Sequence, residues 1–548
     1  PLLNPDEGRN AEIAREMAET NDFVLPHLNG LPYLDKPVLY FAADALSIKM
    51  FGASELATRL PSLLFTLMTT GLIFWFGLRE LGLAGGATAA VATAASPMTL
   101  GLARTVIFDS ALTFFVVLAI IAFYESFKAA SDDKSELAYR WTIAAWAAMA
   151  GAVLTKGPIG LAIPLMVALP YAAWCKRWRP VGNTVGLLLF VSLLLPWIVA
   201  VSRRVPDFLQ YALVDETLLR LTTTEFHRTG PLWYFIPILL AASLPWSAVA
   251  LGGWRSVSPL RKDPRRSSLA VYSLIWIAIP LIFFSLSQSK RPHYILPLLP
   301  AVALLVATMW RTTDKNTPGV RTASVVLAIL GSLFIAANRT IATAFGASAL
   351  VAGAIPAVGV SLGVICLLAA VAAWIYSASR PIALLALSVP ALAIPFVSTD
   401  LMRAIGRERS SSDLAAAVIA EATPETEIVG IEAYPLGLSF YLGKLIILAT
   451  STGGELTSNY VTRHIERWRG SNNSALLNAD AWRELLADCN RPRIFLVRAN
   501  DFENQNLLRQ RLGLLAANNR YAAYGPCGVT QLVTAPEVGR PAAHMSVF

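Results

Sequence analysis

The sequence predicts a mainly α-helical, polytopic membrane bundle with a small α/β domain at its C-terminal end. Three observations carry this. Of 548 residues, 55% are apolar and only 15% charged, against about a quarter charged in soluble domains. Mean hydropathy is +0.54. Apolar runs recur along the first 400 residues, and the chain then turns polar, with alternating strand-like and helix-like patterns. The composition excludes a disordered chain and a disulfide scaffold. The four cysteines have no paired C-x-x-C spacing, which excludes a cysteine zinc site. Nothing near Pro1 reads as a signal peptide; the polar start predicts a segment upstream.

Residues 1–55 read as a first outward loop with two juxtamembrane helices. Ala11–Thr20 and Val38–Phe51 each carry an apolar stripe, and helices of that kind beside spans lie in the interface plane. Residues 56–399 read as the transmembrane part. A span needs about 20 mostly apolar residues, because unpaired backbone groups in hydrocarbon are costly. Twelve runs qualify: Leu56–Arg79, Ala84–Ala103, Val106–Phe127, Trp141–Leu154, Gly157–Cys175, Val181–Val201, Leu232–Trp254, Leu269–Leu286, His293–Trp310, Val320–Ala337, Ser348–Ser377 and Pro381–Thr399. One set of alternating loops holds sixteen Lys and Arg, and the short loops of the other set hold nine. The richer set is cytoplasmic by the positive-inside rule, so residues 1–55 and 400–548 both face outward.

The tail, 400–548, reads as a small α/β domain. Helical patterns fall near Ser412–Ala422, Tyr460–Trp468 and Ala479–Ala487, and strand-like runs at Glu427–Ile431, Lys444–Ala449, Arg493–Val497 and Val529–Thr534. Cys489 and Cys527 both lie there; a disulfide or two free thiols are both compatible with the sequence.

Nine basic residues on the disfavoured side point to chemistry at the outer rim. Arg203-Arg204 and Lys290-Arg291 sit where spans meet the interface, and Lys156 lies in the turn Thr155–Pro158. Such placement suits a phosphate held at membrane level by charge-assisted hydrogen bonds, although anchoring to lipid headgroups also accounts for it. In the first loop, Asp6 and Glu7 precede a helix, and Asp109 opens a span on the same side. Helix capping and orientation of an acceptor both remain open for these carboxylates. Asp35, Glu225 and His227 are outward oxygen or imidazole groups without ligand spacing, so no metal site is expected and a divalent ion is not excluded. His293-Tyr294 opens a span, where an interfacial anchor is the plain reading.

The acidic pair in the first outward loop resembles that of type-C membrane glycosyltransferases, which use polyprenyl-phosphate sugars and share a plan with protein O-mannosyltransferases. The fuller run Asn4-Pro5-Asp6-Glu7-Gly8-Arg9 with Tyr33-Leu34-Asp35-Lys36-Pro37 is similar to the bacterial lipid A 4-amino-4-deoxy-L-arabinose transferase family. The resemblance covers the architecture of the whole chain, but its motifs lie mostly in the first 110 residues. It implies a thirteenth span before Pro1, a bacterial inner-membrane location and a periplasmic tail. The implied donor is aminoarabinose on undecaprenyl phosphate, and the implied acceptor a phosphate of lipid A. Neither nucleic acid nor an organic cofactor is expected. Asp6, Asp109 and Glu7 are the implied catalytic carboxylates. Lys36 and Arg9, with the hydroxyls of Tyr33 and Tyr294, are the first candidates to hold the donor phosphate; Lys156, Arg204 and Lys290 come next. A related transferase moving a mannose or a uronic acid, or modifying protein Ser/Thr, is the nearest alternative. A transporter fits less well, because the spans are nearly free of mid-bilayer charge.

Overall fold

The computed structural model describes residues 1–218, 230–256, 268–311, 317–344, 348–469 and 474–527. Two compact units emerge. One comprises Pro1–Asp413, Pro435–Lys444 and Thr452–Ser474; the other comprises Leu414–Tyr434, Leu445–Ser451 and the chain from Ala475 onward. The tail is therefore not divided from the helices by a single cut near residue 400. Three of its segments, 400–413, Pro435–Lys444 and Thr452–Ser474, group with the helical unit.

Among the described residues, nine helices of the first unit are long and apolar enough to cross a membrane, and a tenth if one bent pair is a single span. All twelve apolar runs fall on helix, but not as twelve uninterrupted ones. The first two share one 40-residue helix, Glu55–Ala94, broken at Gly82. Gly82 takes φ 77°, a conformation that costs a residue without Cβ little. The remainder of the second run is the short helix Pro97–Leu102. The fifth is the 17-residue helix Ile159–Cys175, and the seventh is the pair Phe235–Ala242 and Trp246–Gly252, bent by 105°. Large aromatics fill the bundle. Tyr124, Tyr171 and Tyr272 meet edge-on or tilted at 4.6–6.3 Å, and the buried Tyr272 hydroxyl donates to the Ile120 carbonyl at 2.6 Å.

The first loop departs from its expected form. Helix α1 spans Asp6–Thr20 and α2 spans Leu39–Phe51. α1 does not present one apolar stripe to an interface; it is buried almost all round from Glu7 to Ala18, including Glu12, Arg15 and Glu16. The reason is what surrounds it: α2, the helix Leu438–Leu442 and a hairpin of strands β1 (His27–Leu28) and β2 (Leu31–Pro32). The hairpin turns on Asn29-Gly30, both at positive φ, the pairing that matches strand twist. Glu16 accepts from the backbone N–H of Asn29 at 2.5 Å and of Gly30 at 2.9 Å, so α1 carries the acceptor that closes the turn. Burial and the nearby Glu12 carboxylate push the Glu16 carboxyl up to about 8. The folded chain thus keeps a proton that the unfolded chain releases, and stability declines as pH rises between about 4.5 and about 8. Thermal unfolding in detergent across that window is expected to show the decline, and Glu16→Gln to flatten it.

The second unit holds a six-stranded sheet. Strands β3 (Glu427–Ile431), β4 (Ile447–Ala449), β5 (Leu476–Leu477) and β6 (Arg493–Arg498) run parallel, and β7 (Leu514–Ala517) and β8 (Tyr521–Cys527) add antiparallel, in the order β5-β4-β3-β6-β8-β7. β3 and β6 occupy the centre and are buried nearly throughout, as parallel strands covered on both faces must be. Cys489 and Cys527 are joined by a disulfide. The strand-like run Val529–Thr534 lies outside the described residues; the sequence reading passed over β5, β7 and β8, of which β7 is short and Ala-rich.

Candidate active site

Asp6 and Glu7 are neighbours, so a helix turns them about 100° apart, and they do different things. Neither is an N-cap, since that position is Pro5 with no side-chain capping bond. Glu7, 3% exposed, is saturated. Arg59 of the long helix α3 (Glu55–Ala94) grips it with two bonds, Nε to Oε1 at 2.9 Å and Nη2 to Oε2 at 2.8 Å. The backbone N–H groups of Val106 and Leu3 donate to it at 3.0 and 2.9 Å. Asp6 faces cations instead: Arg9 Nη2 lies 2.7 Å from Oδ1, and Arg291 Nη1 lies 3.2 Å from Oδ2. Burial alone raises the Asp6 carboxyl, but Arg9, Arg291 and His293 together hold it below the usual carboxylate range. Arg9 is placed by Thr457 Oγ1, which accepts from Nη1 at 3.1 Å, and by the Tyr33 ring 5.8 Å beneath its guanidinium.

The second cluster gathers where three helices end or begin. After α4 (Pro97–Leu102), helix α5 (Asp109–Ser131) opens on Asp109, α6 (Ser135–Lys156) closes on Lys156, and the turn before Leu299–Arg311 carries His293 and Tyr294. Asp109 is 1% exposed; Lys156 Nζ lies 2.5 Å from its Oδ1 and His293 Nε2 lies 3.9 Å from its Oδ2. The ammonium of Lys156 also lies 5.1 Å from the ring centres of both Phe108 and Tyr294, an arrangement that holds a cation by its attraction to aromatic faces. Asp109 Oδ2 is buried and has no hydrogen-bond partner among the described residues.

A third group flanks them. Lys36 Nζ lies 2.5 Å from Glu216 Oε1. Asp35 accepts from the Tyr211 hydroxyl at 2.6 Å and from the backbone N–H groups of Asn459 and Tyr460 at 3.0 and 3.4 Å. Burial, then the nearby Glu216 carboxylate, raise the Asp35 carboxyl above its ordinary value. Asp35, Lys36, Asp109, Lys156, Glu216 and Tyr294 all line one cavity of about 280 Å³, whose remaining walls are mostly apolar. Cations in a dry, preorganised cavity stabilise negative charge far better than water does. Here the two lysines are matched by carboxylates, Lys36 by Glu216 and Lys156 by Asp109, against a mostly apolar wall.

Residues 4–212 match the dolichyl-phosphate-mannose-protein mannosyltransferase family. The crystal structure of ArnT from Cupriavidus metallidurans bound to undecaprenyl phosphate aligns with TM-score 0.82 at 25% identity, covering 98% of this chain and 95% of that one. The chain has the fold of the type-C membrane glycosyltransferases. The apo structure of the same ArnT aligns with TM-score 0.80 at 24% identity. Two relatives are called undecaprenyl phosphate-alpha-4-amino-4-deoxy-L-arabinose arabinosyl transferase. That of Aeromonas hydrophila is 33% identical over 337 residues, 61% of this chain and 60% of the relative. That of Erwinia tasmaniensis is 30% identical over 355 residues, 64% of this chain and 60% of the relative. The chain thus spans about 60% of the length of the curated relatives it matches.

Within this fold, the residues read from sequence sort into groups. Asp6 and Arg9 form one cluster, Asp109, Lys156 and Tyr294 a second, and Lys36 joins the second around the cavity. Four lie elsewhere. Glu7 is a tie between the first loop and α3. Tyr33 is buried beneath Arg9. Arg204, at the end of helix α8 (Thr184–Arg204, the next span after α7, Ile159–Cys175), pairs with Asp22 at 2.6 Å. Lys290 donates to the Ser287 carbonyl at 2.8 Å. Glu225 and His227 fall outside the described residues. Among the described residues, no group of three or more His, Cys, Asp or Glu is arranged to hold a metal. Arg291 was noted from sequence only as half of the basic pair Lys290-Arg291 and His293 only as an interfacial anchor, and Glu216 was not named. The first two had a visible signal in Lys290-Arg291-Pro292-His293; Glu216, in the helical segment Tyr211–Leu218, had none.

Proposed function

We propose that the protein transfers 4-amino-4-deoxy-L-arabinose from undecaprenyl phosphate to phosphate groups of lipid A at the periplasmic face of the bacterial inner membrane. On this reading residues 1–55 form the first periplasmic loop, 56–399 the membrane part and 400–548 the periplasmic tail. The observation that carries it is the mostly apolar cavity of about 280 Å³, whose polar wall sets the pairs Lys36–Glu216 and Lys156–Asp109 beside one another, in a chain whose fold matches an ArnT bound to undecaprenyl phosphate along 98% of its length.

The chemistry follows from charge. A lipid A phosphate monoester has its second pKa at about 6 and is ionised at neutral pH, so it needs positioning rather than a strong base. An oxygen of that phosphate bonds to the anomeric carbon while the bond from that carbon to undecaprenyl phosphate breaks, and the electron pair leaves with the phosphate. Direct displacement inverts configuration. Lys36 and Lys156 are placed for the developing charge on the leaving group. Asp6 beside an anionic acceptor is tolerable because Arg9 and Arg291 offset it, and its role is to hold those guanidinium groups on the acceptor.

The test is direct. Protein supplied with aminoarabinosyl undecaprenyl phosphate and lipid A is expected to yield lipid A heavier by one pentosamine, read by mass spectrometry, and cells carrying the active enzyme to tolerate polymyxin and other cationic peptides better. A transfer to protein hydroxyls, or of a neutral sugar only, overturns the assignment. Lys36→Met is expected to weaken undecaprenyl phosphate binding about 10- to 100-fold, the worth of one or more charge-assisted hydrogen bonds; unchanged binding removes Lys36 from the phosphate site.

A further inference from the structure

One residue of the tail sits in a backbone conformation that its side chain disfavours. Six described residues other than glycine take positive φ, and Thr457, at 53°, is the β-branched one among them. A branch at Cβ crowds the backbone in this left-handed region, so threonine there is an outlier where glycine fits without strain. The local chain needs the turn but not the side chain. The turn Gly454–Leu456 closes on Thr457, whose N–H donates to the Gly454 carbonyl at 3.1 Å, and the helix Asn459–Arg463 starts two residues later. That stretch is anchored without the Thr457 side chain. The N–H groups of Asn459 and Tyr460 reach Asp35 at 3.0 and 3.4 Å, and the Tyr460 hydroxyl donates to Asp207 at 3.1 Å.

What the side chain does is meet Arg9, 448 residues away. Thr457 Oγ1 accepts from Arg9 Nη1 at 3.1 Å, while Nη2 lies 2.7 Å from Asp6 Oδ1. A guanidinium beside a carboxylate tends to close on it with two parallel bonds. Thr457 takes Nη1, and Asp6 receives Nη2. Strain retained at a single residue marks a task for that residue. We propose that Thr457 is a positioning residue for the acceptor: its hydroxyl keeps Arg9 from closing on Asp6, and so keeps the guanidinium available to the acceptor's phosphate. The inference rests on the transfer reading, in which Arg9 and Arg291 meet that phosphate. Through this residue the tail, which follows Arg9 in sequence by the whole membrane part, takes a share in seating the acceptor.

The experiment supplies the full chain with aminoarabinosyl undecaprenyl phosphate and lipid A, and measures KM for each substrate together with the thermal midpoint. Thr457→Gly suits positive φ and lacks the hydroxyl, so its thermal midpoint is expected to stay level or rise. Its KM for lipid A is expected to rise about 10-fold, the scale of one hydrogen bond to a charged group, and its KM for the donor to change by less than about twofold. A residue that only packs the turn predicts no such split. Thr457→Ser, which keeps the hydroxyl, is expected to bring the KM for lipid A back to within about threefold of the wild type. A Gly variant with unchanged KM for lipid A overturns the inference and leaves the transfer reading intact. Equal increases for both substrates, or a Ser variant as impaired as the Gly variant, assign Thr457 to the architecture of the turn and overturn it as well. A wild type that transfers no aminoarabinose overturns the transfer reading and the inference together.

Discussion

Asp6→Asn is expected to lower transfer by about 10³-fold while leaving the protein folded, the scale of losing one preorganised charged group at a reacting centre. Asn keeps the shape of the side chain and removes its charge. Arg9 and Arg291, at 2.7 and 3.2 Å in the native protein, then lose the anion that sets where they point. The Asp6 side chain is 31% exposed, so the cost to stability is small, about 1 kcal/mol or less. Initial rates and a thermal midpoint measured on the same preparation check both halves. A variant with near-normal rates sinks the assignment of Asp6. Because its cationic neighbours hold the Asp6 carboxyl below its ordinary value of 3.8, the group stays charged as pH falls toward 4. Activity loss in mildly acidic buffer must therefore come from another group, and that limb is expected to remain in the residual activity of Asp6→Asn.

Its neighbour gives the opposite pattern. Glu7→Ala is expected to destabilise the protein by about 3 kcal/mol, toward the lower end for breaking a buried ion pair because Arg59 is itself 26% exposed. The substitution leaves that guanidinium without its two-point partner, and two backbone N–H groups, those of Val106 and Leu3, without an acceptor. Activity falls too, but through displacement of the start of α1, and is expected to recover at low temperature where the fold persists. A Glu7→Ala protein that unfolds normally yet has lost transfer at all temperatures places Glu7 in the reaction and removes the distinction drawn between the two carboxylates.

The same pair shows how far a linear reading reaches. Sequence alone placed Asp6 and Glu7 at a helix start and offered both as catalytic; nothing in two adjacent acids says which one meets Arg59 and which meets Arg291. α1 itself was legible as a helix but not as a buried one, because burial comes from α2, the Asn29-Gly30 hairpin and a helix from the far tail. Lys290 was preferred to Arg291 for the same reason: adjacent residues at a span mouth point differently, and only the turn Pro292–Leu298 decides which one reaches Asp6.

Composition and the rhythm of apolar runs sufficed to determine a multi-span helical protein with a polar α/β tail, since the need to satisfy backbone groups in hydrocarbon acts on each run locally. They also drew attention to the first loop and to the basic residues near the span ends as candidates for holding an anion. Which charges meet was decided only in three dimensions. Lys36 finds Glu216 across 180 residues and Asp6 finds Arg291 across 285, and Coulomb attraction depends on separation in space, which the order of residues along a chain does not record.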